Sequence, residues 1–488
     1  MKQTTKLKIL VLFTFISYST LYGNTTIKDR PNILLVYVDD MGYNDLECYG
    51  AKDPGIKTPN IDRLAANGVR FSNYLSASCV CSPSRAAVLT GRYPQRCGLP
   101  VCPGPDDKPG FEVWNKHIGL SQDEITIAEL LKPQGYATAA FGKWHLGSFD
   151  KFGPRKQGFD QYEGRPHNFH INREGTWYVN EEAKDNIKYQ KAHQRLTDAT
   201  INFMTAQKKK GKPFFIYLAH YLVHGPWSPN KAFCTPKEWA SYVENKGKMN
   251  AITYPAMVRE LDHHVGLLQK ALKDLGIEKE TMVIFASDNG PWLPAGSSFP
   301  LTGGKYVTME GGQRVPGIIS WPNGMPKGVV SDAMVSSLDI LPTIAAATDV
   351  SLPSDRHYDG YNLLPFLNNK VSKNPRKEFA YYNGLTLEAV RYNNWKMHLP
   401  RDPNIKNNCV TWATKRNTKI VKPILYNLDA DLTEKQKTNN QNIEQQLLNF
   451  AQSMRVELGD WNKEGKDRPK SSYPIHLNVG KSKSKTLH

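Results

Sequence analysis

Cys81 opens the stretch CSPSRAAVLTGRYPQR, followed at close spacing by Pro83, Ser84 and Arg85 and then by a helix-like run that ends at Gly91. A thiol here has three ordinary chemistries: a buried core group, half of a disulfide, or a thiolate nucleophile. A fourth is a cysteine that is converted into another residue. Pro83 suits the first turn of a helix, where its missing N–H costs no bond, and Gly91 suits the end of one. The spacing therefore predicts a helix with Cys81 at its N-terminus, where unpaired backbone N–H groups and the helix dipole favour an anion. Arg85, one turn in, can reach back to the same place.

Oxygen donors occur in two pairs, Asp39-Asp40 and Asp288-Asn289. Carboxylates with an amide make an all-oxygen set, which suits a hard divalent cation, Ca2+ or Mg2+, better than zinc. Either pair alone is also ordinary turn chemistry. Cations and imidazoles recur in GKWHLG (Lys143, His145), HYLVHGP (His220, His224) and TGGKYVTMEGGQRVP (Lys305). Singly, such residues are usually structural or solvated. Converging on a metal, they would form an anion site.

A parallel sheet would bring these groups together. An unbroken apolar run from Ile33 to Val38 predicts a strand buried on both faces, and it ends in Asp39-Asp40. Similar runs in YATAAFG, PFFIYLAH and MVIFASDNG precede the other candidate groups. Helical patterns lie between them. The clearest is 257–275, where Val258, Leu261, Val265, Leu268, Leu272 and Leu275 recur at helical spacing before Gly276. SQDEITIAELLKPQGY and TPNIDRLAANGV read as further helices. Strands alternating with helices imply an α/β fold with a mostly parallel central sheet sandwiched by helices. In such sheets ligands sit at the carboxyl ends of the strands. After about residue 350 the texture changes to turn-rich and short mixed segments. KEFAYYNG, EAVRYNNWKMHL and PILYNLDADL predict an antiparallel sheet, followed by a helix near 434–457. The expected division is a segment 1–23, a catalytic domain 24–350, and a smaller C-terminal α+β domain 351–488 with a basic tail.

The segment 1–23 has Lys2, Lys6 and Lys8, then an apolar stretch from Ile9 to Ile16, then small and polar residues. That is the layout of a secretory signal peptide, too short to span a membrane. Export to the periplasm, or secretion, is expected. No cysteine lies near the cleavage region, so a cysteine-linked lipid anchor is not. Losing those three lysines takes the formal charge from +17 to +14, which favours anionic partners such as acidic polysaccharides. No nucleic-acid-binding motif is present. Seven cysteines (48, 79, 81, 97, 102, 234 and 409) leave at least one unpaired in an oxidising compartment. With Cys81 set aside, the other six have enough members for bridges that sequence does not assign.

C-x-P-S-R followed by L-T-G-R, here Cys81, Pro83, Ser84, Arg85, Leu89, Thr90, Gly91 and Arg92, resembles the signature of the type I, formylglycine-dependent sulfatases of the alkaline-phosphatase-like superfamily. The resemblance runs through NILLVYVDDMGYNDL, TPNIDRLAANGVRF, GYATAAFGKWHLG, ELDHHVGLLQKALKDLG, FASDNG and GGKYVTMEGGQRVPGI, in the family's order, to the late LYNLDADLTE. It implies that a maturation enzyme oxidises Cys81 to Cα-formylglycine (3-oxoalanine). It also implies one Ca2+ held by Asp39, Asp40, Asp288 and Asn289 with residue 81 facing it, and a cationic pocket of Arg85, Lys143, His145, His224 and Lys305. The hydrated aldehyde would offer one hydroxyl to attack sulfur and a second whose deprotonation, by His145, expels sulfate. His224, helped by Lys305, would protonate the leaving alcohol. Lys143 and Arg85 would stabilise the charged oxygens. His220 competes with His224, and the His-x-Pro spacing favours His224. Two departures stand out: Tyr306 follows Lys305 where the family has a small residue, and Cys79 adds a thiol beside the motif.

The resemblance thus implies a sulfuric ester hydrolase of the bacterial polysaccharide-degrading type. The expected substrate is a sulfated algal polysaccharide, of ulvan or carrageenan type, or its oligosaccharides, with host glycosaminoglycans next. Trp227, Trp292 and Trp321 follow candidate catalytic segments and are candidates to stack on sugar faces, although core packing is the commoner role for any one of them. One alternative is a phosphonate or phosphate ester hydrolase of the same superfamily; a two-zinc phosphatase would need extra histidine ligands. A remote alternative, a non-catalytic polysaccharide-binding relative, predicts a broken pocket, yet every expected position is filled.

Overall fold

A computed structural model describes residues 30–102, 118–169, 174–246, 248, 250–293, 295–368, 373–401, 419–461 and 463–469. The expected signal segment, the basic tail and Cys409 lie outside the described residues.

Four strands carry the candidate residues: β1 (Asn32–Val38), β2 (Ala137–Lys143), β3 (Phe214–Ala219) and β4 (Thr281–Ser287). β1 lies between β3 and β4 and is parallel to both. β2 continues the parallel set beyond β3. The reason for the unbroken apolar runs is visible in β1. Ile33, Leu35 and Tyr37 enter one core while Leu34, Val36 and Val38 enter the other. A strand buried on both faces cannot alternate with polar residues. One face is covered by helices Tyr189–Lys210 and Tyr254–Asp274, through Leu196, Phe203, Leu261, Val265 and Leu268. The other is covered by helix α1 (Cys81–Thr90) and by Ile340–Ala347, through Val88, Leu89, Ile340 and Ile344.

Among the described residues the sheet has ten strands. Antiparallel pairing occurs towards its edges: Gly317–Ser320 runs against β4, and the hairpin Glu174–Val179/Glu182–Lys188 closes the far side. That hairpin has no apolar run to announce it. Glu182–Lys188 is almost wholly exposed, and its charges suit an edge strand that must not pair further.

The C-terminal part holds a four-stranded antiparallel sheet, Glu378–Asn383, Thr386–Tyr392, Trp395–His398 and Ile424–Asn427, covered by helix Gln441–Leu458. The helix begins later than 434. Residues before it are held in a turn by Asp431, which accepts from the backbone N–H groups of Thr433, Lys435 and Gln436. Asn440 then caps the helix by accepting from Ile443 N at 3.2 Å. Phe379, Tyr381 and Val390 of this sheet share a core with Ala87 of α1 and Leu338, so the smaller part packs directly behind the helix that begins at Cys81.

Candidate active site

The carboxyl ends of β1, β2, β3 and β4 bring the predicted groups to one edge of the sheet. α1 starts at the same edge with Cys81 as its first residue and ends at Gly91, whose φ of 66° a glycine adopts without strain. The whole helix is buried. Its entry is fixed by Ser84, whose hydroxyl donates to Ser78 O at 2.9 Å, and by Ser76, which donates to Asp288 O.

Cys81 Sγ lies 3.6 Å from Asp39 Oδ1 and 4.0 Å from Asp40 Oδ1. Asp39, Asp40, Cys81 and His224 each offer a ligand atom, all within 4.8 Å of one another. Asp288 joins them through its Oδ1, which accepts from Asp40 N at 3.1 Å. Asn289 Nδ2 donates to Asp40 Oδ1 at 2.7 Å, while its buried Oδ1 has no partner. Three cations interleave. Lys143 Nζ is 2.8 Å from Asp39 Oδ2, Lys305 Nζ 2.7 Å from Asp40 Oδ2, and Arg85 Nη2 2.6 Å from Asp288 Oδ2. Arg85 achieves this from one turn into the helix.

The crowding shows in the ionisation. Burial alone would raise Asp39, but Lys143, His224, Arg85 and Lys305 hold it well below the usual carboxylate range. Asp288 is pushed up, by burial and then by the charge of Asp39, against the pull of Arg85. Burial, and then Lys143, lowers His145 and leaves its imidazole neutral. Burial drives the Cys81 thiol well above its ordinary range, so an unmodified residue 81 would not ionise near neutrality. Backbone strain gathers here too. Asp40, His145 and Tyr306 are non-glycine residues with φ of 60°, 56° and 75°, a conformation that persists only where its surroundings enforce it.

The donor set fits a hard cation. Asp39 and Asp40 turn carboxylate oxygens to one place, Asp288 lies alongside them against Asp40 N and Arg85, and the orphaned Asn289 Oδ1 is the kind of neutral oxygen such an ion takes up.

His145 stands beside the cluster with Nδ1 unpartnered, its ring 5.3 Å from that of His167. His224 Nδ1 donates to Gly225 O at 2.6 Å, which turns Nε2 towards Asp40 at 3.5 Å. His220 points away, into the core between the two long helices, with its ring 5.4 Å from that of His193. Asn168 is a member the sequence did not suggest: its Nδ2 donates to Asp39 Oδ2 at 2.7 Å. It follows the strand Gln161–Arg165, which has no apolar run to mark it. Two of the three tryptophans do not serve as sugar platforms. Trp227 is 5% exposed and packed in the core. Trp321 follows an antiparallel strand, which delivers it to the opposite edge of the sheet, beyond the pairing of Ser320 with Val283. Trp292 is half-buried beside the site, its ring 5.9 Å from that of Tyr306. The cysteines described outside α1 (48, 79, 97, 102 and 234) are free thiols, as is Cys81, so no bridge forms among the described residues. Among the described residues no helix is long and apolar enough to cross a membrane.

Residues 31–350 match the sulfatase family, and residues 374–468 match the C-terminal region of aryl-sulfatase. The chain is 36% identical to the N-acetylgalactosamine-6-sulfatase of Homo sapiens over 411 residues, covering 77% of this chain and 73% of that one. It is 33% identical to arylsulfatase A of Homo sapiens over 450 residues, covering 82% of each. Its fold is similar to the crystal structure of Ps i-CgsB in complex with k-i-k-neocarrahexaose, with a TM-score of 0.75, 29% identity, and coverage of 92% of this chain and 96% of that one. With a family match across most of its length and a strand-end site of acids, cations and a helix-borne cysteine, the chain belongs to the sulfatase family and is a sulfuric ester hydrolase.

Proposed function

We propose that this sulfatase is exported and removes sulfate from a sulfated algal polysaccharide, of carrageenan or ulvan type, or from its oligosaccharides. In this reading it uses one Ca2+ and a Cys81 that a maturation enzyme has converted to Cα-formylglycine. The observation that carries the reading is the convergence of Asp39, Asp40, Cys81 and His224 within 4.8 Å, with Arg85, Lys143 and Lys305 reaching into the same cluster. Support for the substrate comes from Ps i-CgsB, whose complex holds k-i-k-neocarrahexaose, and from the excess positive charge of the chain.

Asp39, Asp40, Asp288 and Asn289 would hold Ca2+, which supplies Lewis acidity towards sulfate oxygen and makes a nearby hydroxyl more acidic. Residue 81, if converted to hydrated formylglycine, would supply a hydroxyl for attack and a second for the release of sulfate. Lys143 and Arg85 neutralise the sulfate oxygens through charge-assisted hydrogen bonds. His224, with Nδ1 committed to Gly225, presents Nε2 to the leaving oxygen and delivers a proton from it, with Lys305 Nζ beside it. His145 takes up a proton on Nδ1, which has no competing partner.

The test is sulfate release from a panel of structurally defined sulfated oligosaccharides, with a small aryl sulfate as control, by protein matured in a competent host. Turnover of carrageenan- or ulvan-derived oligosaccharides is expected, with a steeper decline in added salt for polymer than for the aryl sulfate. Turnover of the aryl sulfate alone removes the polysaccharide reading and leaves the sulfatase standing.

A further inference from the structure

Lys305 sits on a turn flanked by Gly303-Gly304 and Gly311-Gly312, a composition with little stiffness of its own. Yet Tyr306, the next residue, holds a φ of 75°. The turn's hydrogen bonds show what enforces it. The turn's N–H groups at Lys305 and Tyr306 go to the large domain: Lys305 N donates to Pro291 O and Tyr306 N to Cys79 O, both at 2.9 Å. Its other polar groups go to the C-terminal sheet. Asn383 Nδ2 donates to Tyr306 O at 3.2 Å, and Thr308 Oγ1 donates to Glu388 Oε2 at 2.8 Å. Asn383 Nδ2 also donates to Glu388 Oε1 at 3.3 Å, which ties the two clamps together. Lys396 adds a bond to Thr308 O at 2.8 Å. Asn383 and Glu388 are 6% and 1% exposed, so water does not compete for these bonds.

We propose that Asn383 and Glu388, on adjoining strands of the C-terminal sheet, are positioning residues for sulfate ester hydrolysis: they fix the backbone immediately after Lys305, at Tyr306 and Thr308, and thereby the place of its Nζ beside Asp40. The C-terminal sheet is then part of the catalytic apparatus and not only a cover for α1. This rests on the reading of Lys305 as a group that meets the substrate. A shift of about 1 Å in such a group is enough to cost one to two orders of magnitude in rate.

The bland reading, that these bonds only fasten two parts of the chain together, predicts a different result in a double-mutant cycle. Four full-length proteins are compared on a small aryl sulfate: wild type, Asn383→Ala, Lys305→Met and the double variant. Glu388→Ala would remove the buried carboxylate 3.5 Å from Arg401, so Asn383→Ala carries the cycle and Glu388→Gln serves as its companion. Asn383→Ala is expected to lower kcat about tenfold, with KM and melting temperature near the wild-type values. In the Lys305→Met background it is expected to lower kcat no further. Losses that multiply in the double variant, or a folded Asn383→Ala with wild-type kcat, overturn the proposal. Wild-type kcat in Lys305→Met overturns the reading of Lys305 itself, and the proposal with it.

Discussion

Two buried clusters of charge lie on either side of the Lys305 turn, and they are built on different plans. Behind the turn, Glu310 accepts from Tyr381 OH at 2.7 Å, Lys396 Nζ at 3.0 Å and Arg391 Nη1 at 3.1 Å. Glu434 accepts from Glu310 N at 2.6 Å and His398 Nε2 at 2.7 Å, and lies 2.9 Å from Lys396. Every acid there is wrapped by donors, and against burial Lys396 and Arg391 hold Glu310 far below the usual carboxylate range. In front of the turn, acids stand beside acids, and Asn289 Oδ1 and His145 Nδ1 are left without partners. The closed network has nothing left to bind. The open one is arranged for something that arrives later, and the fold carries its strain.

If that contrast is right, the two clusters respond to mutation in opposite ways. The front cluster should fail in chemistry while the fold survives. Cys81→Ala removes a side chain with no strong hydrogen bond of its own. It is expected to lower kcat/KM by more than about a thousandfold and to leave the melting temperature within about 2 °C of wild type. Peptide mass spectrometry of the active wild type should show the aldehyde at residue 81. Full activity with an intact thiol at that position would end the assignment of the nucleophile.

The rear cluster should fail in stability. Lys396→Met takes from Glu310 and Glu434 the buried cation they share, and losing one partner of a buried pair costs about 3–5 kcal/mol. Urea denaturation monitored by fluorescence measures it, and Glu434→Gln in the same chain should recover part of the loss. A cost below about 1 kcal/mol would show that the network is a bystander and erase the contrast.

The front cluster was legible in the sequence because each of its strand-borne groups ends an apolar run. β1 delivers Asp39 and Asp40, β2 delivers Lys143 and His145, and β4 delivers Asp288 and Asn289. The helix start at Cys81 was legible from Pro83 and Gly91. The rear network was not, because Glu310 and Lys396 are 86 residues apart in the chain and a lone acid on a glycine-rich turn reads as solvated. Asn168 was missed for the same reason: a polar residue on a loop carries no periodicity to place it. Trp321 misled because an apolar strand does not state its direction. Gly317–Ser320 pairs antiparallel to β4, and that reversal moves its trailing residue to the wrong edge for catalysis. The start of the C-terminal helix moved because Asp431 can hold a turn as readily as a helix can use the same residues.

A third cluster sharpens the contrast, with the smallest effect expected. Under the sheet, His193, His220, His264 and Glu260 meet between the two long helices. His193 Nε2, His220 Nε2 and Glu260 Oε2 are buried without partners, as at the active site. Orphaned atoms alone therefore do not mark catalysis; here they mark a stability that depends on pH. Burial lowers His220 well below its ordinary 6.5, with His193 adding to it, and burial also lowers His264 despite Glu260. Between those depressed values and 6.5 the unfolded chain binds more protons than the folded one, so stability rises with pH and is lost on acidification below about 6.5. Glu260 is silent in that window. Burial pushes it up but His193 outweighs this and brings it to about 2, so its contribution persists above 4.5 and disappears only as the pH falls through about 2. Asp45 and Asp262, raised to about 6 by burial, act in the opposite sense between 3.8 and 6. The readout is therefore a difference between variants. His220→Asn keeps an acceptor for Leu222 N, which now bonds His220 Nδ1 at 3.1 Å, and removes the titration. Between pH 7.5 and 5.5, urea unfolding should cost the wild type about 1 kcal/mol more than it costs the variant. Equal losses in the two proteins would mean that His220 contributes nothing to the acid sensitivity of the fold.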